Sequence, residues 1–198
     1  MRIVVTGATS FIGLAVIENL LHGGHEVLAV ARPDSPGRKK LEGRKGIRIL
    51  TCGLDHIGNL TDPLVLAGRP DGPGGSGAAR GADAWLHLGW EGAGSANRQN
   101  PQLQARNIGY ALESLRTAAA IGCTRFLFSG SQAEYGIYRT VMKEDGVCSP
   151  VSEYGKDKLE VCRRASEEAE RLGITYIHAR IFSVYGPGDH PWSLVSTC

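Results

Sequence analysis

Apolar positions along the chain follow two alternating spacings. Short, nearly unbroken apolar runs stand at Arg2–Thr6, Glu26–Ala31, Gly46–Thr51, Ala84–Leu88, Arg125–Ser129 and Ile174–Ile181. Their length and β-branched content predict strands buried on both faces. Between them lie segments whose apolar residues recur every three or four positions. One begins at Phe11, carries Ile12, Ala15, Val16 and Leu20, and ends at Gly23–Gly24. A second runs from Leu103 to Ile121, with Ile108, Leu112, Leu115 and Ala119 on one face and Gly122 as its cap. A third, Tyr154–Leu172, offers Glu160–Arg164 and Glu167–Arg171 as pairs one helical turn apart. Asp55–Leu66 reads as a short helix stopped at Pro63, and Pro33–Gly46 as a polar loop with a short helix. Arg69–Gly81, dense in glycine and proline, reads as a flexible loop. It is not a domain linker, because the alternation resumes after it. Alternating strands and helices predict an α/β fold with a parallel sheet covered on both faces. Ligands of such sheets bind beyond the carboxyl ends of the strands.

The first of those ends is chemically specific. Gly7-Ala-Thr-Ser10-Phe11-Ile12-Gly13 joins the first strand to the first helix. Gly7 permits a tight bend, Gly13 lets the helix pack closely on the strand, and the helix start offers unpaired N–H groups and a positive dipole end. A pyrophosphate fits such a turn. The expectation is a Rossmann-type doubly wound sheet that binds a dinucleotide. Past the second strand stands Arg32, where an acid would hold a ribose hydroxyl. Its forked cation suits a 2′-phosphate, which favours NADP over NAD, while Asp34 keeps NAD open.

Composition adds limits. A chain of 198 residues supports one domain with a sizeable core. A net charge of +2 gives no argument for nucleic acid, and no apolar run is long enough for a membrane span. The N-terminus enters a strand directly, with no secretory signal, so a cytoplasmic protein is expected. The five cysteines are scattered without CxxC spacing and read as reduced thiols, and the six histidines show no metal-ligand spacing.

Tyr154-Gly-Lys-Asp-Lys158 is the strongest catalytic pattern. Four apart on a helix, the two side chains share a face. A free phenol, with a pKa of about 10, is a poor base at neutral pH; a neighbouring ammonium favours the phenolate. Lys158 is also placed to reach a cofactor ribose. The pair follows a serine-bearing strand end and a cofactor turn in chain order.

TGATSFIG and these patterns together resemble the extended branch of the short-chain dehydrogenase/reductase superfamily, the NAD(P)-dependent nucleotide-sugar epimerases and dehydratases. The middle glycine of that signature is Ser10 here, whose hydroxyl can donate to a phosphate. His87-Leu88-Gly89-Trp90 resembles the family segment that lies along the cofactor, with Trp90 unusual there. Asn107 matches an asparagine that ties the sheet to the active site. In Ser129-Gly-Ser-Gln-Ala-Glu-Tyr-Gly136 the catalytic hydroxyl position falls on Ser131. Arg180 to Asp189 resembles a further segment, with Ser183 at an asparagine position and Arg180 and Tyr185 near the cofactor and substrate boundary. The resemblance therefore implies Ser131, Tyr154 and Lys158 as catalytic residues. Gly7, Ser10, Phe11, Ile12, Gly13, Arg32, Leu54, Leu88 and Gly89 join Tyr154 and Lys158 as cofactor-binding residues, with no metal.

Dehydratases of the family carry Asp-Glu after the catalytic hydroxyl. The matching positions are Gln132 and Ala133, which exchange no proton, and Glu134 comes one position later. The resemblance thus implies an epimerase or ketoreductase of a nucleotide sugar. A reductase of a non-sugar ketone, an inactive cofactor-binding protein and a truncated remnant are the alternatives. Family members are longer and often pair through their two long helices, so the expectation is a homodimer. Residues 1–182 would form the NAD(P)-binding domain. Residues 183–198 would begin a substrate domain that is largely missing, the chain stopping at Ser193–Cys198 in the opening turn of a helix.

Overall fold

The structure is a computed structural model that describes residues 1–62, 66 and 81–189. Six parallel strands form one sheet: β1 (Arg2–Thr6), β2 (Glu26–Ala31), β3 (Ile47–Thr51), β4 (Ala84–His87), β5 (Arg125–Ser131) and β6 (Thr175–Ile181). Their order is β3-β2-β1-β4-β5-β6, that of a Rossmann-type doubly wound sheet. The helices are α1 (Phe11–His22), α2 (Pro101–Ala120) and α3 (Glu153–Leu172).

All five residues of β1 are buried because both sheet faces are covered. Ile3 and Val5 pack with Val27, Ala29 and Ala84 beneath Ile17 of α1. Val4 turns the other way and joins Leu28, Trp85, Phe126 and Phe128 beneath Leu112 and Leu115 of α2 and Val161 and Ala165 of α3. Trp85, Phe126 and Phe128 are the largest of these fully buried side chains, and burial of such a ring is worth roughly 1.5–3 kcal/mol.

Strand positions agree with the sequence to within one or two residues. The difference that matters is at β5, which continues to Ser131 because Ser129, Gly130 and Ser131 keep pairing with Ala179, Arg180 and Ile181 of β6. Helix faces differ more. On α1 the core side is Gly13 and Ile17, while the expected Ala15 is exposed. On α2 the buried face is centred on Gln104, Asn107, Ala111, Ser114, Leu115 and Ala118, with Ile108 only partly buried. The helix also starts earlier, at Pro101, because Asn100 caps it by accepting from the Leu103 N–H. The expected helix after β3 is a 3₁₀ segment, Leu54–Thr61, kinked at His56. On α3 the ion pairs form one residue away from those expected. Arg163 bonds Glu160 and Glu167, and Arg171 bonds Glu168, which also holds Arg116 of α2 at 2.6 Å. Glu168 faces the neighbouring helix, so it collects both arginines. Nearly all of the glycine-rich segment 69–81 and the chain end at Ser193–Cys198 lie outside the described residues.

Candidate active site

The carboxyl ends of the strands open on a cleft of about 1180 Å3. Its floor at one end is the turn after β1. Gly7 takes a φ of +65°, and a Cβ there would stand 2.7 Å from the Gly89 N atom and 2.8 Å from the Leu88 carbonyl oxygen. Only glycine lets this turn meet the end of β4 so closely. Ser10 caps α1, its Oγ accepting from the Gly13 N–H at 3.0 Å. The Phe11 and Ile12 N–H groups therefore remain the first-turn donors without an intrahelical carbonyl. Ser10, Phe11 and Ile12 line the cleft. Gly13 does not: it lies beneath the turn, where a Cβ would fall 2.2 Å from the Gly7 oxygen.

Arg32, Leu54, Leu88 and Gly89 line the same cleft, as the sequence expects. Arg32 stands just past β2, 61% exposed along its side chain and 3.8 Å from Asp34. Thr9 Oγ1 bonds Ser35 Oγ at 2.7 Å, which ties the β1 turn to the loop after β2. Beneath the floor, Thr6 Oγ1 meets His87 Nδ1 at 3.1 Å and accepts from the Gly89 N–H at 3.3 Å. Asn107 clamps the next loop, accepting from the Glu91 N–H at 2.7 Å and donating to the Glu91 carbonyl at 3.1 Å.

The other end of the cleft brings Ser131, Tyr154 and Lys158 together. Ser131 ends β5 and caps the 3₁₀ turn Gln132–Glu134 through a bond to the Ala133 N–H. Glu134 fixes that turn. Its buried carboxylate accepts from the Ser131 N–H at 2.7 Å and from Arg180 Nε at 2.8 Å, and meets His178 Nε2 at 2.9 Å. Burial opposes its charge, but these donors outweigh it and hold its carboxyl below the usual range. Glu134 thus faces into β6 rather than the cleft, and Arg180 is bound to it. Gln132 and Ala133, in contrast, line the cleft.

Tyr154 sits in the first turn of α3, which Ser152 caps through the Gly155 N–H. Burial raises its phenol above the ordinary value. The neighbouring Ser131 hydroxyl and the charge of Arg98 pull it back. Lys158 is 2% exposed, and its Nζ donates to the Ser129 carbonyl at 2.6 Å. The ammonium stands 4.0 Å from the centre of the Trp90 ring and 4.6 Å from that of Phe128. Burial lowers its pKa to about 7. Trp90 is locked by its Nε1–H donating to Gln104 at 2.7 Å and meets Tyr154 edge-on. Sequence reasoning missed Arg98, whose guanidinium lies 4.8 Å from the centre of the Tyr154 ring.

Cys52, Cys123, Cys148 and Cys162 are free. Among the described residues no cluster of three or more His, Cys, Asp or Glu could hold a metal, and no helix is long and apolar enough to cross a membrane. The arrangement suits a bound dinucleotide. The Phe11 and Ile12 N–H groups at the helix start could hold its phosphates.

Comparison with known proteins points to one family. A model of the NAD dependent epimerase/dehydratase family matches residues 3–197. An uncharacterized UDP-glucose epimerase of Bacillus subtilis, YtcB, is 28% identical over 200 residues, which is 96% of this chain and 59% of that protein. An uncharacterized protein of Saccharomyces cerevisiae, YLL056C, is 27% identical over 96% of this chain and 56% of its own length. Among solved structures, MoeE5 in complex with UDP-glucose and NAD superposes with a TM-score of 0.78 at 26% identity, covering 100% of this chain and 59% of MoeE5. The chain spans a little over half the length of the proteins it matches.

Proposed function

Because the chain belongs to the NAD dependent epimerase/dehydratase family, we propose that it serves NAD(P)-dependent epimerisation or keto-reduction of a nucleotide sugar. The observation that carries this reading is the meeting of Ser131, Tyr154 and Lys158 at one end of a cleft whose other end is the start of α1. Gly7, Ser10, Phe11 and Ile12 would hold the pyrophosphate, Arg32 and Leu54 the adenosine end, and Leu88, Gly89 and Lys158 the nicotinamide riboside. Gly13 serves by keeping α1 close to the turn. The bound cofactor supplies hydride acceptance and donation.

The chain's own residues handle the proton. Ser131 orients the reacting sugar oxygen by hydrogen bonding. Tyr154 takes the hydroxyl proton as the carbon becomes a carbonyl, and returns a proton to that oxygen in the reverse step. Gln132 and Ala133 carry no acid or base, which favours epimerisation or reduction over dehydration. Net consumption of reduced cofactor separates a reductase from an epimerase. Arg32 supports NADP, its guanidinium offering a fork for a 2′-phosphate. Residues 1–182 are assigned to cofactor binding and 183–198 to the start of a substrate region, of which only 183–189 are described. A cytoplasmic homodimer pairing through α2 and α3 completes the reading.

Titration with NADPH and NADH, followed by tryptophan fluorescence and thermal shift, tests it. Binding with a preference for NADPH that is lost in Arg32→Ala is expected. With nucleotide-sugar substrates, Tyr154→Phe should then reduce turnover by about 10²-fold or more. Failure to bind either cofactor would overturn the reading for this chain.

A further inference from the structure

Among the described residues three cations line the cleft, Arg32, Arg98 and Lys158, and they are not equivalent. Arg32 stands past β2, away from Tyr154. Lys158 is 2% exposed, its ammonium donating to the Ser129 carbonyl at 2.6 Å and covered by the Trp90 ring at 4.0 Å. Arg98 comes from the loop between β4 and α2, and its guanidinium lies over the Tyr154 ring, 4.8 Å from the centre. Its Nε donates to the Ala93 carbonyl at 2.9 Å, and its own carbonyl accepts from the Tyr154 N–H at 3.0 Å. Among the described residues Nη1 and Nη2 have no acceptor. Glu91, the one acid lining the cleft among the described residues, makes no ion pair with Arg98. The guanidinium is thus held at its base and along its face, with its two terminal amines unused beside the phenol.

A fixed guanidinium with unused donors is suited to take a carboxylate. We propose that Arg98 binds substrate, and that the substrate carries a carboxylate on the carbon next to the one that reacts, as a nucleotide-linked uronic acid does. The inference rests on the function proposed above, with Tyr154 as the acid/base group. The oxygen that exchanges its proton with Tyr154 and the group that meets Arg98 must be neighbours, because the two side chains are. In a six-membered sugar the carbon opposite the anomeric one is flanked by the carbon that bears the exocyclic group. A carboxylate in that group meets the requirement. The diphosphate does not, because it hangs from the anomeric carbon on the far side of the ring. Ile137, Met142, Phe182 and Val184, which also line the cleft, offer the carboxylate no rival charge.

The test is a binding comparison that needs no turnover. UDP-glucose and UDP-glucuronic acid share the nucleotide and the diphosphate and differ only in the exocyclic group. Each is titrated calorimetrically into the full chain with NADPH present. The wild type is expected to bind the uronic acid tighter by about tenfold or more. Arg98→Gln should abolish that preference while leaving UDP-glucose binding unchanged, and Arg98→Lys, which keeps the charge but not the fork, should retain part of it. NADPH binding equal to that of the wild type reports an intact cleft in both variants. A preference that survives Arg98→Gln would overturn the proposal. So would an equal loss for both sugars, which would put Arg98 on the shared diphosphate. Equal binding of the two sugars by the wild type overturns this inference alone, whereas binding of neither overturns the proposed function with it.

Discussion

The imidazole of His87 lies against Phe126 and Phe128, with ring centres 6.0 and 5.6 Å away, and is 1% exposed. Burial and the charge of Lys158 push its pKa down from 6.5 to about 3. In the unfolded chain the same ring takes a proton near its ordinary value. The folded state therefore binds fewer protons between these limits, and the stability His87 contributes above pH 6.5 is lost as pH falls toward 3. Between pH 7 and pH 5 this group alone should cost the fold about 2 kcal/mol. Urea unfolding of the wild type and of His87→Asn at the two pH values measures it, and the loss should be smaller by that amount in the variant. Equal losses in both proteins would show that the ring is not held neutral. At this scale the sequence was legible where a side chain belongs to a pattern. Ser131, Tyr154 and Lys158 meet in the cleft as their motifs imply. Arg98 and Trp90 were not legible as partners of Tyr154 and Lys158. The loop that carries them has no periodicity, and its path is set by bonds to Ala93, Gln104 and the first turn of α3.

Between elements, two helical glycines of identical sequence appearance have opposite meanings. A Cβ at Gly155 of α3 would lie 2.4 Å from the Ala133 oxygen and 3.1 Å from Pro150 Cβ. This contact seats α3 on the turn that carries Ser131. A Cβ at Gly109 of α2 would meet nothing within 4 Å. Gly155→Ala should therefore destabilise by about 1–3 kcal/mol through overpacking, and Gly109→Ala should stabilise by up to about 1 kcal/mol through helix propensity. Thermal unfolding should show Tm moving down for the first and up for the second. A Gly155→Ala protein as stable as wild type would mean that α3 can shift away from the turn at no cost. Strands were legible because residues buried on both sides read as unbroken apolar runs. The buried face of α2 was not, since it includes Gln104, Asn107, Ser114 and Thr117. Two of these face inward to bond the loop after β4, as with Gln104 to the Gly92 and Asn97 carbonyls and Asn107 to Glu91. Hydropathy reads such residues as surface.

Across the whole molecule, alternation predicts a parallel sheet, but strand order is a long-range property that no local spacing encodes. The order puts the first strand in the middle. β1 pairs on one side with β2, Arg2 opposite Glu26, and on the other with β4, Ile3 opposite Ala84. During synthesis, at about 5–20 residues per second, the second edge of β1 thus waits several seconds for its neighbour to leave the ribosome. In that interval the nascent chain carries an apolar strand with one bare edge, the kind of surface that captures other chains. Ribosome-bound chains halted at Asp62 should be cut readily by protease and held by chaperones, whereas chains halted with Ile181 clear of the exit tunnel should resist cleavage within β1. Resistance already at Asp62 would mean that the first βαβ unit closes on itself without β4. The centre of this fold is made first and finished late, so its most buried strand is also the one longest in need of protection.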